Sequence, residues 1–186
     1  TYLAMQVLIE GLALAAFQRI RDYAKNPLCA AINAYVMQDE ARHVAFGRYA
    51  LRDFYPALTT AERREREDFV IEASFLMRDR LNTEEMWAHL GLDPKDAVAA
   101  VTGSDNMLRY RMRLFSRIVP VVRDIGLWST EVQKAYADMG VIHYGERDAS
   151  KILEEDESVA TEFDRLMAGG ENALPRKPAP TQTANN

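Results

Sequence analysis

Glu40 and His43 stand three residues apart in the run Gln38-Asp39-Glu40-Ala41-Arg42-His43. On a helix this spacing puts both side chains on one face. A second carboxylate, Glu10, lies earlier in the chain between Ile9 and Gly11. Both carboxylates fall among apolar residues, where an unpartnered charge is costly. Oxygen-rich sites with one imidazole per metal suit iron or manganese. Glu10, Glu40 and His43 therefore read as the ligands of one half of a two-metal site.

The elements that must position them can be read from pattern. Residues 2–24 predict a helix whose stripe is Leu3, Val7, Glu10, Leu14 and Phe17, with Gln6 and Ala13 beside it. Lys25-Asn26-Pro27 predicts a turn, since Asn tolerates turn conformations and Pro suits the first turn of a following helix. Residues 27–54 predict a second helix with Ile32, Val36, Met37, Glu40, His43, Val44 and Gly47 on its stripe. So short a turn makes the two helices antiparallel neighbours. At 1.5 Å per residue, Glu10 lies roughly 24 Å before the turn, and Glu40 and His43 lie roughly 21–26 Å after it. The three side chains are thus expected at one height on a hairpin, a match that the hydrophobic pattern does not force.

Beyond the hairpin, Tyr55-Pro56 predicts a break, and Thr59-x-x-Glu62 is a capping-box pattern opening a helix over about 60–81. Thr83 is expected to cap a short helix that stops at Gly91, and Asp93-Pro94 to open a helical turn to about Val101. A helix over 105–119 follows, with Leu108, Met112, Phe115 and Val119 inward, kinked or ended by Pro120. Ser129 opens another helix, and 140–167 reads as helical again. No strand-period alternation stands out, so the fold class is all-α. From Gly169 the composition turns to Gly, Pro, Thr, Gln and Asn, and 169–186 reads as a disordered tail.

Composition excludes several functions. Acidic and basic residues are interspersed around a net charge of −5, with no basic stripe for nucleic acid. The one cysteine, Cys29, leaves no internal disulfide and no cysteine-based zinc site. No apolar run reaches the length of a membrane span, and the start carries no secretory leader, so a soluble, cytoplasmic protein is expected. The helical pattern already running at Tyr2 suggests that the chain is the C-terminal part of a longer protein.

A di-iron carboxylate bundle needs a Glu from each of two helices and a Glu-x-x-His from each of two others. This chain supplies one Glu and one Glu-x-x-His. With three histidines in all, the search for a second set is short. Glu85 and His89 are four apart, and His143 and Glu146 run in the reverse order. The second set is expected from preceding sequence or from another chain; a symmetric dimer would bring four Glu and two His. Tyr35 and Tyr49 lie near the site by spacing, as redox-active groups or, the reading preferred here, as packing residues.

The stretch Val36-Met37-Gln38-Asp39-Glu40-Ala41-Arg42-His43-Val44-Ala45-Phe46-Gly47 resembles the second metal-binding helix of ferritin-like di-iron proteins. With Glu10-Gly11-Leu12-Ala13-Leu14 ahead of it, it is similar to the C-terminal half-site of the ribonucleotide reductase small-subunit-like and p-aminobenzoate N-oxygenase-like branches. The resemblance covers residues 3–54. It implies a ferritin-like helical bundle, here a half-bundle hairpin plus additional helices, with residues 1–168 as the C-terminal part of the domain. It implies that Glu10, Glu40 and His43 ligate iron, two Fe ions in the complete site or a Mn/Fe pair. It also implies that Asp39 supports a ligating histidine through a hydrogen bond. The activity implied is a di-iron oxygenase or oxidase using O2, an electron donor and a small-molecule or acyl-type substrate. The alternative is a ferritin-like protein that binds metal for storage, or keeps a vestigial site, without catalysis.

Overall fold

Asn26 and Pro27 divide the first 54 residues into a helical hairpin in the computed structural model, which describes residues 1–168. The expected tail, 169–186, lies outside the described residues. The first rod begins as a π-helix, Leu3–Ile9, and continues as α1, Glu10–Tyr23. The Asn26 side chain accepts the Leu28 N–H at 2.9 Å, and Pro27 starts α2, Pro27–Phe54. This is the predicted second helix to the residue, because cap and proline together fix where it begins.

The π-helix changes which residues face inward. The Glu10 N–H bonds the Met5 carbonyl rather than the Gln6 carbonyl, which inserts one residue into the turn. Leu3, Val7, Leu8, Gly11, Leu14 and Ala15 are buried in consequence, so Leu8 and Gly11 join a stripe that constant helical spacing did not give them. The rod Leu3–Tyr23 is also long and apolar enough, by length and composition, to cross a membrane, which corrects the expectation that no segment is. Here it packs along α2 as a core helix, which needs the same composition.

A 3-10 turn, Tyr55–Ala57, leads to α3, Thr60–Arg80, opened by the predicted capping box. The Thr59 N–H donates to the Glu62 carboxylate at 2.9 Å, and the Glu62 N–H donates to Thr59 Oγ1 at 3.3 Å. Then come α4, Glu84–His89, and α5, Pro94–Thr102. Asp93 caps α5, but Thr83 does not cap α4: its backbone is left-handed (φ 50°) and its hydroxyl makes no cap bond.

The expected helix 105–119 is two helices. α6, Asp105–Leu114, ends in a turn, and α7 is Ile118–Asp124. Pro120 neither ends nor kinks a helix; it sits in the first turn of α7, where no N–H is needed. Leu108 faces outward, and Ile118 to Val122 are all buried, which makes α7 the centre of the core. α8, Thr130–Asp138, begins at Ser129 as expected, and a 3-10 turn, Ile142–Glu146, leads to α9, Ala149–Ala168. Gly140, with φ 74°, separates α8 from that turn, so 140–167 is not one helix.

Among the described residues there is no strand, and the all-α expectation stands. α9 runs along α2, with Phe163 against Ala30 and Ala34. Gln38 donates to the Glu157 carbonyl at 3.0 Å, and Arg42 donates to the Glu157 carboxylate at 2.9 Å. α7 packs against the first rod, where Gly11 lets Ile118 approach. Two ion pairs join α7 to its neighbours: Arg48 of α2 to Asp124 at 2.6 Å, and Arg117 to Asp156 of α9 at 2.9 and 2.7 Å.

Candidate metal centre

Glu10 is the first residue of α1, directly after the π-helix, while Glu40 and His43 stand at mid-length of α2. The hairpin brings the three to one height. One ligand atom from each lies within 4.8 Å of the others. His43 Nδ1 is 3.3 Å from Glu40 Oε2 and 3.9 Å from Glu10 Oε1. The arrangement agrees with the count of residues from the turn, because both rods are regular enough over this length for rise per residue to set height.

Accessibility divides the three. The Glu10 side chain is 18% exposed and that of Glu40 is 24%, whereas that of His43 is 58% exposed. Glu10 Oε2 is buried with no hydrogen-bond partner. Burial pushes the Glu10 carboxyl up from the usual carboxylate range, and the Glu40 carboxylate pushes it further, while His43 opposes the shift. Two carboxylates and an imidazole facing one another, one oxygen orphaned and one pKa raised by burial and then by a like charge, form a donor set suited to a cation. Oxygen and nitrogen donors without sulfur fit iron or manganese.

The raised pKa has a sign that can be measured. A carboxyl whose pKa is higher in the folded state contributes stability that is full below its unfolded value, near 4.5. That contribution is lost as pH rises through the folded value. Urea unfolding of the metal-free protein, compared with Glu10→Gln, is expected to show the difference turning against the parent as pH rises through that window. A pH-independent difference contradicts the assignment.

Asp39 is not brought to a histidine. Its side chain is 69% exposed and pairs with Arg42 at 3.4 Å. It lies on the line of α2 that faces Arg42, and Arg42 in turn reaches α9. Tyr35 also points to α9, donating to Asp164 at 2.5 Å. Tyr49 lies beneath the guanidinium groups of Arg48 and Arg52, at 5.1 and 5.2 Å from its ring centre. Both tyrosines have partners of their own, in keeping with packing. Ile32, expected inward, is exposed, as is Phe46; both share the His43 side of α2. His143 stacks on Tyr144 at 4.1 Å, and His89 ends α4.

Sequence reasoning left out one pair. A Cβ built on Gly47 would lie 2.4 Å from Gln6 Cβ and 3.7 Å from Gln6 Cα, so the two rods touch here through a glycine. Gln6 Oε1, like Glu10 Oε2, is buried without a partner. A glycine four residues past His43 in the middle of a long helix was the available signal, because mid-helix glycine costs stability unless close packing requires it.

Comparison with known proteins gives the family. The family model for P-aminobenzoate N-oxygenase AurF matches residues 15–126, which include Glu40 and His43 and begin just after Glu10. No curated protein and no solved structure matches the chain. The match covers more than half of the chain, and the chain therefore belongs to the p-aminobenzoate N-oxygenase AurF family, a ferritin-like di-iron family.

Proposed function

We propose that this chain provides half of the metal site of an oxygenase that transfers oxygen to the amino nitrogen of a small organic substrate. The observation that carries the reading is the convergence of Glu10, Glu40 and His43 within 4.8 Å on the hairpin, inside a chain of a di-iron N-oxygenase family. Glu10, Glu40 and His43 would hold iron, and a bound iron pair would supply the reducing electrons and the binding position that dioxygen chemistry needs. In the overall reaction one oxygen atom enters the substrate N–H bond. The other leaves as water, with two electrons and two protons drawn from an external donor and solvent. The half-buried Glu10 carboxyl, with its raised pKa, favours a cation over an empty site.

The open side of the hairpin is where a second helical pair would add the missing Glu and Glu-x-x-His. Exposed Ile9 and Phe46 stand close to the donors in sequence, and exposed Ile32 lies further along the same side of α2. Preceding sequence or a second copy of the chain would both serve. The exposure of His43 also supports the second reading, a ferritin-like protein that binds metal without oxygenating a substrate. The deciding experiment loads the protein with ferrous iron without oxygen, then admits oxygen and an aromatic amine. About two irons per complete site, a transient visible band and oxygenated amine are expected. Iron without product supports the second reading, and no bound iron overturns both. Native mass spectrometry of the loaded protein tells monomer from dimer.

A further inference from the structure

Gln6 and Gly47 form the layer next to the three donors. Gln6 stands one turn before Glu10 on the first rod, and Gly47 stands one turn after His43 on the returning helix. Antiparallel packing puts these two positions opposite each other, and the 2.4 Å approach of a Gly47 Cβ to Gln6 Cβ shows that they touch. The stem of Gln6 is therefore pinned, and its amide has little freedom in where it goes. Two acceptors are buried without partners within this turn of helix, Gln6 Oε1 and Glu10 Oε2. Glu10 Oε1 is the oxygen paired with His43, at 3.9 Å from Nδ1.

The two ends of a glutamine amide are told apart only by their hydrogen bonds. Turning the Gln6 amide about replaces an orphaned acceptor with a donor, one helical turn from an orphaned carboxylate oxygen. Each orphan is costly by itself, and an amide N–H given to Glu10 Oε2 would satisfy the carboxylate. Resting on the reading of Glu10 as a metal ligand, we propose that Gln6 is a positioning residue that donates its amide N–H to Glu10 Oε2 and so holds Oε1 toward the metal. Gly47 is the seat that fixes the Gln6 stem at that height. The π-helix contributes by adding a residue to the turn between them, which sets the phase of Gln6 against Glu10.

The test uses cobalt(II), whose visible bands report ligand number and geometry, titrated into the metal-free protein. Gln6→Met removes the amide but keeps the stem against Gly47. Binding is expected to weaken about tenfold, the usual cost of losing a partner that orients a ligand, with altered cobalt bands. The metal-free protein should keep its helical circular dichroism and unfold slightly more easily than the parent, because the variant leaves Glu10 Oε2 without its donor. Should Gln6→Met lose its helical circular dichroism, Gln6→Leu is read in the same way. Affinity within about twofold of the parent with unchanged bands overturns the inference. If cobalt binds the parent and His43→Ala abolishes that binding, such a result leaves the metal reading standing. A parent that binds no cobalt overturns both.

Discussion

Asp156→Ala is expected to destabilise the protein by about 3–5 kcal/mol, the cost of breaking a buried ion pair by removing one partner. Arg117 and Asp156 are both buried, their side chains 6% and 5% exposed. They meet in a two-pronged contact, Nε to Oδ2 at 2.9 Å and Nη2 to Oδ1 at 2.7 Å. The remaining Arg117 donors are not idle, because Nη1 reaches Gln18 Oε1 and Ser116 Oγ, both at 3.0 Å. Alanine at 156 leaves a guanidinium in the core with nothing to balance it, and arginine cannot shed its proton to escape. Replacing both partners with apolar residues, Arg117→Met with Asp156→Leu, is expected to cost far less, since the pair also pays a desolvation penalty. Urea unfolding of the single and double variants checks this. A single variant within about 1 kcal/mol of the parent would mean that the pair is hydrated in solution.

This pair matters to the site through what it joins. Arg117 lies at the start of α7, Asp156 in α9 and Gln18 in α1. α9 in turn braces α2 at Gln38 and Arg42, on either side of Glu40. The ligand hairpin is therefore clamped from behind while its donor face stays open. Loss of the clamp is expected to loosen the hairpin before any donor is touched.

The hairpin was legible because its signals are local. Asn26-Pro27 fixes the start of α2, and residue counting fixes the height of Glu10 against Glu40 and His43. What sequence could not show depends on partners far along the chain. The π-helix Leu3–Ile9 is held by i→i+5 hydrogen bonds such as Glu10 N–H to the Met5 carbonyl, and no residue between Leu3 and Ile9 announces it. The break between α6 and α7 was hidden because apolar spacing runs on through Phe115 and Val119. The informative residue was Arg117, a charge in that run whose partner lies in α9. Ile32 and Leu108 were expected inward and are exposed, since periodicity marks an apolar face without saying what covers it. For Asp39 the family resemblance implied support of a histidine, and among the described residues its carboxylate lies beside Arg42 at 3.4 Å.

Removing ligands should separate metal binding from folding. His43→Ala and Glu40→Ala are each expected to reduce iron affinity by more than about 100-fold, beyond the 10–100-fold that follows loss of a supporting partner alone. Their effects on the metal-free fold should be small and, for one ligand, reversed. His43 is more than half exposed, so its truncation is expected to change metal-free stability by no more than about 0.5 kcal/mol. Glu10 is different, because its carboxylate is partly buried, with Oε2 out of contact with solvent and Glu40 opposing its charge. Glu10→Gln removes that repulsion and is expected to make the metal-free protein more stable at neutral pH while it loses iron. A residue that weakens the empty fold and tightens the loaded one is the mark of a site kept for its ligand. Metal content after desalting, set beside urea midpoints for the same variants, checks both halves. Iron retained by His43→Ala at the parent level would remove the imidazole from the site. Metal-free Glu10→Gln less stable than the parent would make Glu10 a structural residue instead.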